Sequence, residues 1–388
     1  MKRFLEKASI LGLSLILTTA FSISSALPAM VDFYREKTPN QVELLVSLPS
    51  VGIMVMLLFN TWIERFLNEH QIITSGLLLL SLCGFAPFIS RDYDFIFLSR
   101  FLFGLGVGLI NAKAISIISE RYSGQERLQM LGYRGSAEVV GTALLTLAVG
   151  QLLQFGWAST FLIYSFGFVI LACYLLFVPQ REEKVGSLAS KNKTKMARQQ
   201  YKLTIFLSAI AAVIVCTNVA ITLRVPGLVV RSGMGTAQLA SWILSGMQLT
   251  GILAGISFAG LTGRYQKRLL MLAALTFGCA QIVIGFSFNP LLLIMSTLVA
   301  GFSYSISLTA IFHQVSENIP HTSLNQATSI VVLGCSLGAS ATTFVLSFID
   351  RLSNSTILLF SLLGGFMIAS ALLAGLTNHT EEDESHAS

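Results

Sequence analysis

Four charged residues, Arg100, Lys113, Glu138 and Asp32, lie inside or at the edge of long uncharged runs. An ionisable group in such a setting is costly, so it pairs with a neighbour, moves a proton or touches a solute. Arg100 stands about six residues into its run, roughly 9 Å deep at 1.5 Å per residue. Lys113 stands at a similar depth from the other end of the same run. Glu138 stands roughly 10–12 Å from the start of the next run, opposite Lys113 on an antiparallel neighbour. Depth therefore predicts a Lys113–Glu138 ion pair. A carboxylate that loses its cation in an apolar setting favours the neutral acid, which suits a proton- or substrate-responsive group. A static pair that keeps charge out of hydrocarbon is the plainer role, and Arg134, one helical turn before Glu138, is a second candidate partner. Arg100 has Asp32 and Asp94 as candidate acids. It can bind an anionic group, orient a proton relay or hold helices together. Asp32 follows Pro28 by four residues, where a helix end breaks readily.

Other polar residues fall within apolar runs and can line a cavity for a small molecule: Asn60, Asn111, Asn218, Gln248, Tyr304, His313 and Gln314. An unperturbed imidazole titrates near pH 6.5, which suits proton coupling. His313 can equally sit wet at the end of its run. The five cysteines, Cys83, Cys173, Cys216, Cys279 and Cys335, all lie in apolar runs at spacings unsuited to zinc. No H-E-x-x-H, P-loop or G-x-S-x-G pattern occurs. The glycines of Gly104 to Gly108 stand in mid-run with no strand before them, so they serve close helix packing rather than a dinucleotide. No cofactor and no metal is expected.

The elements that must carry these residues are membrane helices. Apolar residues make up 54% of the 388 and charged residues 11%, with a mean hydropathy of +0.73. A soluble domain is about 25% charged. The apolar runs last about 20 residues, the length of a helix that crosses a bilayer, not the ~10 of a barrel strand. Twelve spans are read near 8–30, 43–63, 70–90, 95–118, 131–153, 158–178, 203–228, 236–260, 269–288, 290–313, 324–348 and 355–376. With the N-terminus in the cytoplasm, seventeen Lys and Arg fall on the cytoplasmic side and six outside. That asymmetry orients the chain, puts both termini inside, and assigns the net charge of +6 to topology rather than to nucleic acid. Residues 1–178 and 203–376 then form two six-helix bundles, joined by a cytoplasmic linker, 179–202. An acidic tail, 377–388, is expected to be disordered. Pro28 and Pro226, Arg65 and Arg264, and Gly104 and Gly301 are separated by 198, 199 and 197 positions. Offsets this constant point to duplication.

Taken together, these residues resemble the major facilitator superfamily over nearly the whole chain, and within it the bacterial drug:proton antiporters. The superfamily motif G-x-L-a-D-R-x-G-R-R between spans 2 and 3 reads here as residues Asn60 to Glu69. Its acid and first arginine are Glu64 and Arg65; its glycines and later basic pair are absent. The copy between spans 8 and 9, Ala259 to Arg268, keeps the basic residues and lacks the acid. The span 4 arginine motif corresponds to Arg100 through Gly104, followed by Glu120 and Arg127, and a Gly156-Trp157 turn precedes span 6. The antiporter motif of span 5 retains only its first and last glycines, as Gly141 and Gly150.

The resemblance implies an all-α, twelve-helix major facilitator fold of two pseudo-repeats. It implies a cytoplasmic gate made of Glu64, Arg65, Glu120, Arg127, Arg264 and Arg268, and a proton-handling or structural role for Arg100. The expected function is secondary transport by alternating access: export of small amphipathic or hydrophobic compounds in exchange for protons. Lys113, Glu138, Arg100 and Asp32 are the expected charge-relay residues. The expected setting is a monomer in a bacterial cell membrane. Three alternatives stand beside it: a lipid or glycolipid flippase, an uptake system for a metabolite or anion, and a membrane sensor or scaffold.

Overall fold

The computed structural model describes residues 2–64, 66–122, 124–179, 196–320, 323–353 and 355–386. Among them are helices and turns and no strand, as a chain must be whose amides have no water to bond in hydrocarbon. Helix starts follow local chemistry. At the start of α3 (Pro39–Ile63), Thr38 Oγ1 accepts from the Gln41 N–H at 3.3 Å, and Gln41 Oε1 accepts from the Thr38 N–H at 2.9 Å. This is a reciprocal cap with a proline in the first turn. Helix α5 (Tyr93–Arg121) starts at Asp92, whose Oδ2 accepts from the Phe95 N–H at 2.9 Å. The turn that ends α6 (Gly124–Leu152) runs through Gly156 at φ 101°, a conformation that needs glycine.

Nine helices among the described residues are long and apolar enough to cross a membrane. A tenth segment is broken: α1 (Lys2–Ser14) passes through a 3-10 stretch, Thr19–Ala26, into α2 (Leu27–Phe33), with a 53° bend between its halves. The remaining helices are α4 (Glu69–Ile89), α7 (Phe166–Phe177), α8 (Arg198–Arg231), α9 (Ala237–Tyr265), α10 (Leu269–Gly285), α11 (Pro290–Asn318), α12 (Leu324–Leu352) and α13 (Thr356–His386). Two of these, α10 and the apolar part of α13, Thr356–Leu372, are shorter apolar helices. Two expectations need correction. Span 1 is not one continuous helix, because its serine- and threonine-rich middle bonds to its own carbonyls, as Thr19 Oγ1 does to Ile16 O at 2.8 Å. The acidic tail is helical as far as His386.

The chain divides into two compact units, Met1–Asn192 with Ala237–Ser245, and Lys193–Thr236 with Gly246–Ser388. Within each, helices meet backbone to backbone at glycines. A Cβ on Gly104 of α5 would lie 2.2 Å from Pro49 O of α3, and one on Gly106 2.8 Å from Gly76 O of α4. A Cβ on Gly141 would lie 2.2 Å from Leu15 O, at the break in span 1. In the second unit Gly338 stands in the same relation to Ala212 O, at 2.1 Å. Both members of that pair lie 197 positions after Gly141 and Leu15. A second contact repeats likewise: Gly167 against Ser81, and Gly364 against Gly278, again 197 positions on.

Candidate functional site

The site in the first unit grows from a proline. Pro49 lies inside α3 and has no N–H, so the carbonyl of Leu45, four residues earlier, loses its helical donor. A second acceptor is the carbonyl of Ala20, in the 3-10 stretch of span 1. Arg100 of α5 serves both: Nε donates to Leu45 O at 3.0 Å and an Nη to Ala20 O at 2.8 Å. Its guanidinium carbon stands 4.7 Å from the ring centre of Phe103, 5.4 Å from Tyr164 and 5.8 Å from Phe161. Tyr164 in turn donates to Thr19 O at 3.0 Å. Arg100 is fully buried, with one guanidinium nitrogen unpaired. The acids expected to face it, Asp32 and Asp94, are both exposed. The correction has a physical reason: carbonyl dipoles and aromatic faces supply the negative potential that a carboxylate was expected to bring.

Lys113 of α5 is also buried, at 2% exposure. Its Nζ lies 3.3 Å from Glu64 Oε1, and Asn60 Nδ2 donates to the same oxygen at 3.2 Å. Glu64 caps the C-terminus of α3, where the helix dipole disfavours an anion, so the ammonium is what holds the carboxylate there. The Lys113–Glu138 pair predicted from depth is therefore replaced by two others. Glu138 pairs with Arg134 across one turn of α6, at 3.6 Å and with 26% of its side chain exposed. Residues assigned beforehand to a cavity (Asn60), a gate (Glu64) and a relay (Lys113) thus form one cluster.

Charge concentrates again at the loop end of this unit. Arg121 donates to Glu6 at 3.2 Å, to Glu69 at 2.9 Å and to Pro179 O at 3.1 Å. Lys7 bonds Glu126 at 2.6 Å. Burial disfavours the charge on Arg121, but the Glu69 hydrogen bond and charge, with Glu6, outweigh it and hold its pKa above the ordinary arginine value. Motif reading overlooked Arg121 because it followed Glu120 and Arg127. The available signal was Glu69, an acid standing where the motif carries arginine. Arg65 and the side chains of Glu120 and Arg127 lie outside the described residues.

At the opposite end of this unit, where α3 and α5 begin, Tyr34 donates to Arg91 O at 2.6 Å and Tyr93 to Gln41 O at 3.0 Å. Burial and then the charge of Asp92 push the Tyr34 phenol up to about 12.

In the second unit, Arg224 bonds Asp350 at 2.6 Å, joining α8 to α12. This pair also escaped sequence reading, which only counted Arg224 among the six basic residues expected outside. Asn218 is buried with its Oδ1 unpaired. Gln248 and Tyr304 are half-buried, and Tyr304 packs on Phe277 at 6.1 Å. Asn111, in the first unit, is half-buried too. His313 meets Glu317 at 3.6 Å and, with Gln314, lines a pocket of about 830 Å³. Arg264 lies over the Tyr265 ring at 5.7 Å, and both Arg264 and Arg268 are exposed. Among the described residues no group of His, Cys, Asp and Glu is arranged to hold a metal.

Known proteins share this architecture. A D-xylose–proton symporter superposes with a TM-score of 0.79 at 15% identity, covering 96% of this chain and 97% of its own. A peptide transporter gives 0.74 at 15% identity, covering 95% and 93%. A bacterial homologue of the human lysosomal transporter Spinster, in an inward-facing and unoccupied conformation, gives 0.71 at 15% identity, covering 96% and 95%. At such identities the likeness concerns the fold alone. The model of the Major Facilitator Superfamily matches residues 10–343, most of the sequence. The family match makes the protein a multi-pass membrane protein and a secondary transporter rather than an enzyme. The chain belongs to the major facilitator superfamily.

Proposed function

We propose that the chain exports small amphipathic or hydrophobic solutes in exchange for protons, by alternating access, with Glu138 as the proton-exchanging carboxylate. The observation that carries the coupling is the state of Glu138. It stands in a membrane span, in a loose 3.6 Å pair with Arg134, and is partly exposed. A proton can replace Arg134 as its partner, and a solute or a helix movement that draws Arg134 away favours that exchange. The tight Lys113–Glu64–Asn60 cluster belongs to the gate, where charge networks form in one state and break in another. Arg100 is fully buried, which weighs against uptake of an anion through contact with Arg100.

The proposal includes two six-helix repeats, 1–178 and 203–376, with the linker 179–202, the tail 377–388 and both termini cytoplasmic. The nine long helices, the broken first span and the two shorter apolar helices supply the twelve segments this needs. The glycine contacts repeated at an interval of 197 support the duplication. It also includes action as a monomer. The test is dye efflux from energised vesicles, with and without a proton uncoupler, for the wild type and Glu138→Gln. Coupled export predicts uncoupler-sensitive efflux that Glu138→Gln loses while dye binding persists. Efflux indifferent to the uncoupler refutes the coupling.

A further inference from the structure

The pocket in the second unit has a chemistry that the transport reading does not use. It lies where α8 begins, α9 and α11 end and α10 begins, and its volume is about 830 Å³. One wall is apolar: Leu203, Phe206 and Leu207 of α8, Leu269 and Leu270 of α10, and Ala310 of α11. The rest of the lining is largely polar and includes Lys202, Thr262, Gln266 and Gln314. Thr262 Oγ1 is out of contact with solvent and has no hydrogen-bond partner. Gln266 holds φ 47° although it is not glycine, a strained conformation that persists only where its surroundings fix it.

Charge is distributed unevenly around this pocket. Lys202 lines it, and the exposed Arg198, Arg264 and Arg268 stand within a turn of its lining residues. The start of α8 adds the positive end of a helix dipole, with Ala197 offering no side-chain oxygen to the first-turn amides. Glu317 is the one acid among the lining residues, and His313 holds it from the same helix. An inorganic anion would leave the apolar wall in water. A neutral lipid would leave the cationic edge without a partner.

We infer that this pocket binds an anionic amphiphile, with a phosphate or carboxylate head at Lys202 and the start of α8 and an alkyl chain along the Phe206–Leu207 wall. The site includes His313 and Gln314, expected from the sequence to line a solute cavity, but it requires neither transport of a solute nor a proton.

The test uses the purified full-length chain in a neutral detergent, titrated with dodecyl phosphate, dodecanol and inorganic phosphate, with the melting temperature as readout. Dodecyl phosphate should bind saturably and raise the melting temperature. Lys202→Gln, at an exposed position that leaves folding intact, should weaken it about tenfold, the worth of one charged hydrogen bond. Ala310→Phe, which adds bulk to the lining, should abolish the shift. If that variant does not fold, the Lys202→Gln comparison still decides. Equal shifts with dodecanol, or unchanged affinity in Lys202→Gln, overturn the inference. Phospholipid analysis of the same preparations identifies the source. Anionic phospholipid retained by the wild type and lost from Lys202→Gln assigns the occupant to the bilayer. Saturable dodecyl phosphate binding without retained phospholipid assigns it to free amphiphiles. Neither binding nor retention overturns the site.

Discussion

If Arg100 stands where it does because Pro49 frees the carbonyl of Leu45, the two residues must be energetically coupled through that oxygen. Arg100→Met removes both guanidinium bonds and leaves the Leu45 carbonyl, which Pro49 cannot serve, buried and unpaired. Such an orphan costs about 1–3 kcal/mol. Loss of a buried cation offsets part of this, so the single substitution alone is not decisive. Pro49→Ala makes it so. The new residue has an N–H one turn beyond Leu45, so Leu45 O regains a helical donor and no longer depends on Arg100. Arg100→Met should then cost about 1–3 kcal/mol less in the Pro49→Ala background than in the wild type, one carbonyl's worth. That is a factor of about 5 to 150 in the unfolding equilibrium. The assay is a double-mutant cycle of unfolding in mixed micelles, followed by tryptophan fluorescence. Arg100→Lys serves as the intermediate case, because an ammonium keeps the charge but lacks the planar fork that spans two acceptors. Strict additivity of Pro49→Ala and Arg100→Met would refute the reasoning, whatever the size of either effect alone.

Gly104→Ala places a Cβ 2.2 Å from Pro49 O and should destabilise by about 1–3 kcal/mol through overpacking, whereas Gly132→Ala meets nothing within 4 Å and should stabilise α6 by about 0.5–1 kcal/mol; the same unfolding assay separates them. Lys113→Met leaves Glu64, partly exposed and still bonded by Asn60, without its cation and should cost about 1–3 kcal/mol, and Glu64→Gln added to it should recover most of that loss. Tyr34 has a phenol pKa raised from 10.0 to about 12. Its protonated form is therefore favoured by folding, so its contribution is complete below pH 10 and is lost as pH rises towards 12. Tyr34→Phe should remove that part of the alkaline decline in melting temperature; an unchanged profile between pH 10 and 12 contradicts the assignment.

Depth along a helix was legible in the sequence, while rotation about its axis was not read, and rotation decides which charges meet. Hydropathy located the long apolar helices because hydrocarbon demands about 20 apolar residues in each, and nothing about neighbours is needed for that. The pairing of Lys113 needs neighbours. Gly106 packs on α4 at Gly76. Lys113 follows it by seven residues, and a heptad drifts only ~20° around a straight helix. The face of α5 that carries Lys113 is therefore the face that meets α4, near the α3–α4 connection where Glu64 stands, and not a face chosen by depth alone. The glycine pattern held that information; opposite charge at equal depth was the misleading cue. Arg100 misled in another way. Its partners were sought among carboxylates, but Pro49, in full view, had already created an acceptor four residues upstream, and the run of serine and threonine between Thr18 and Ser25 marked a second. In a membrane, a backbone carbonyl released by proline or by a broken helix is as demanding a partner as an acid. A charged residue inside a span is therefore better assigned by finding which carbonyl has lost its donor before asking which carboxylate lies nearby.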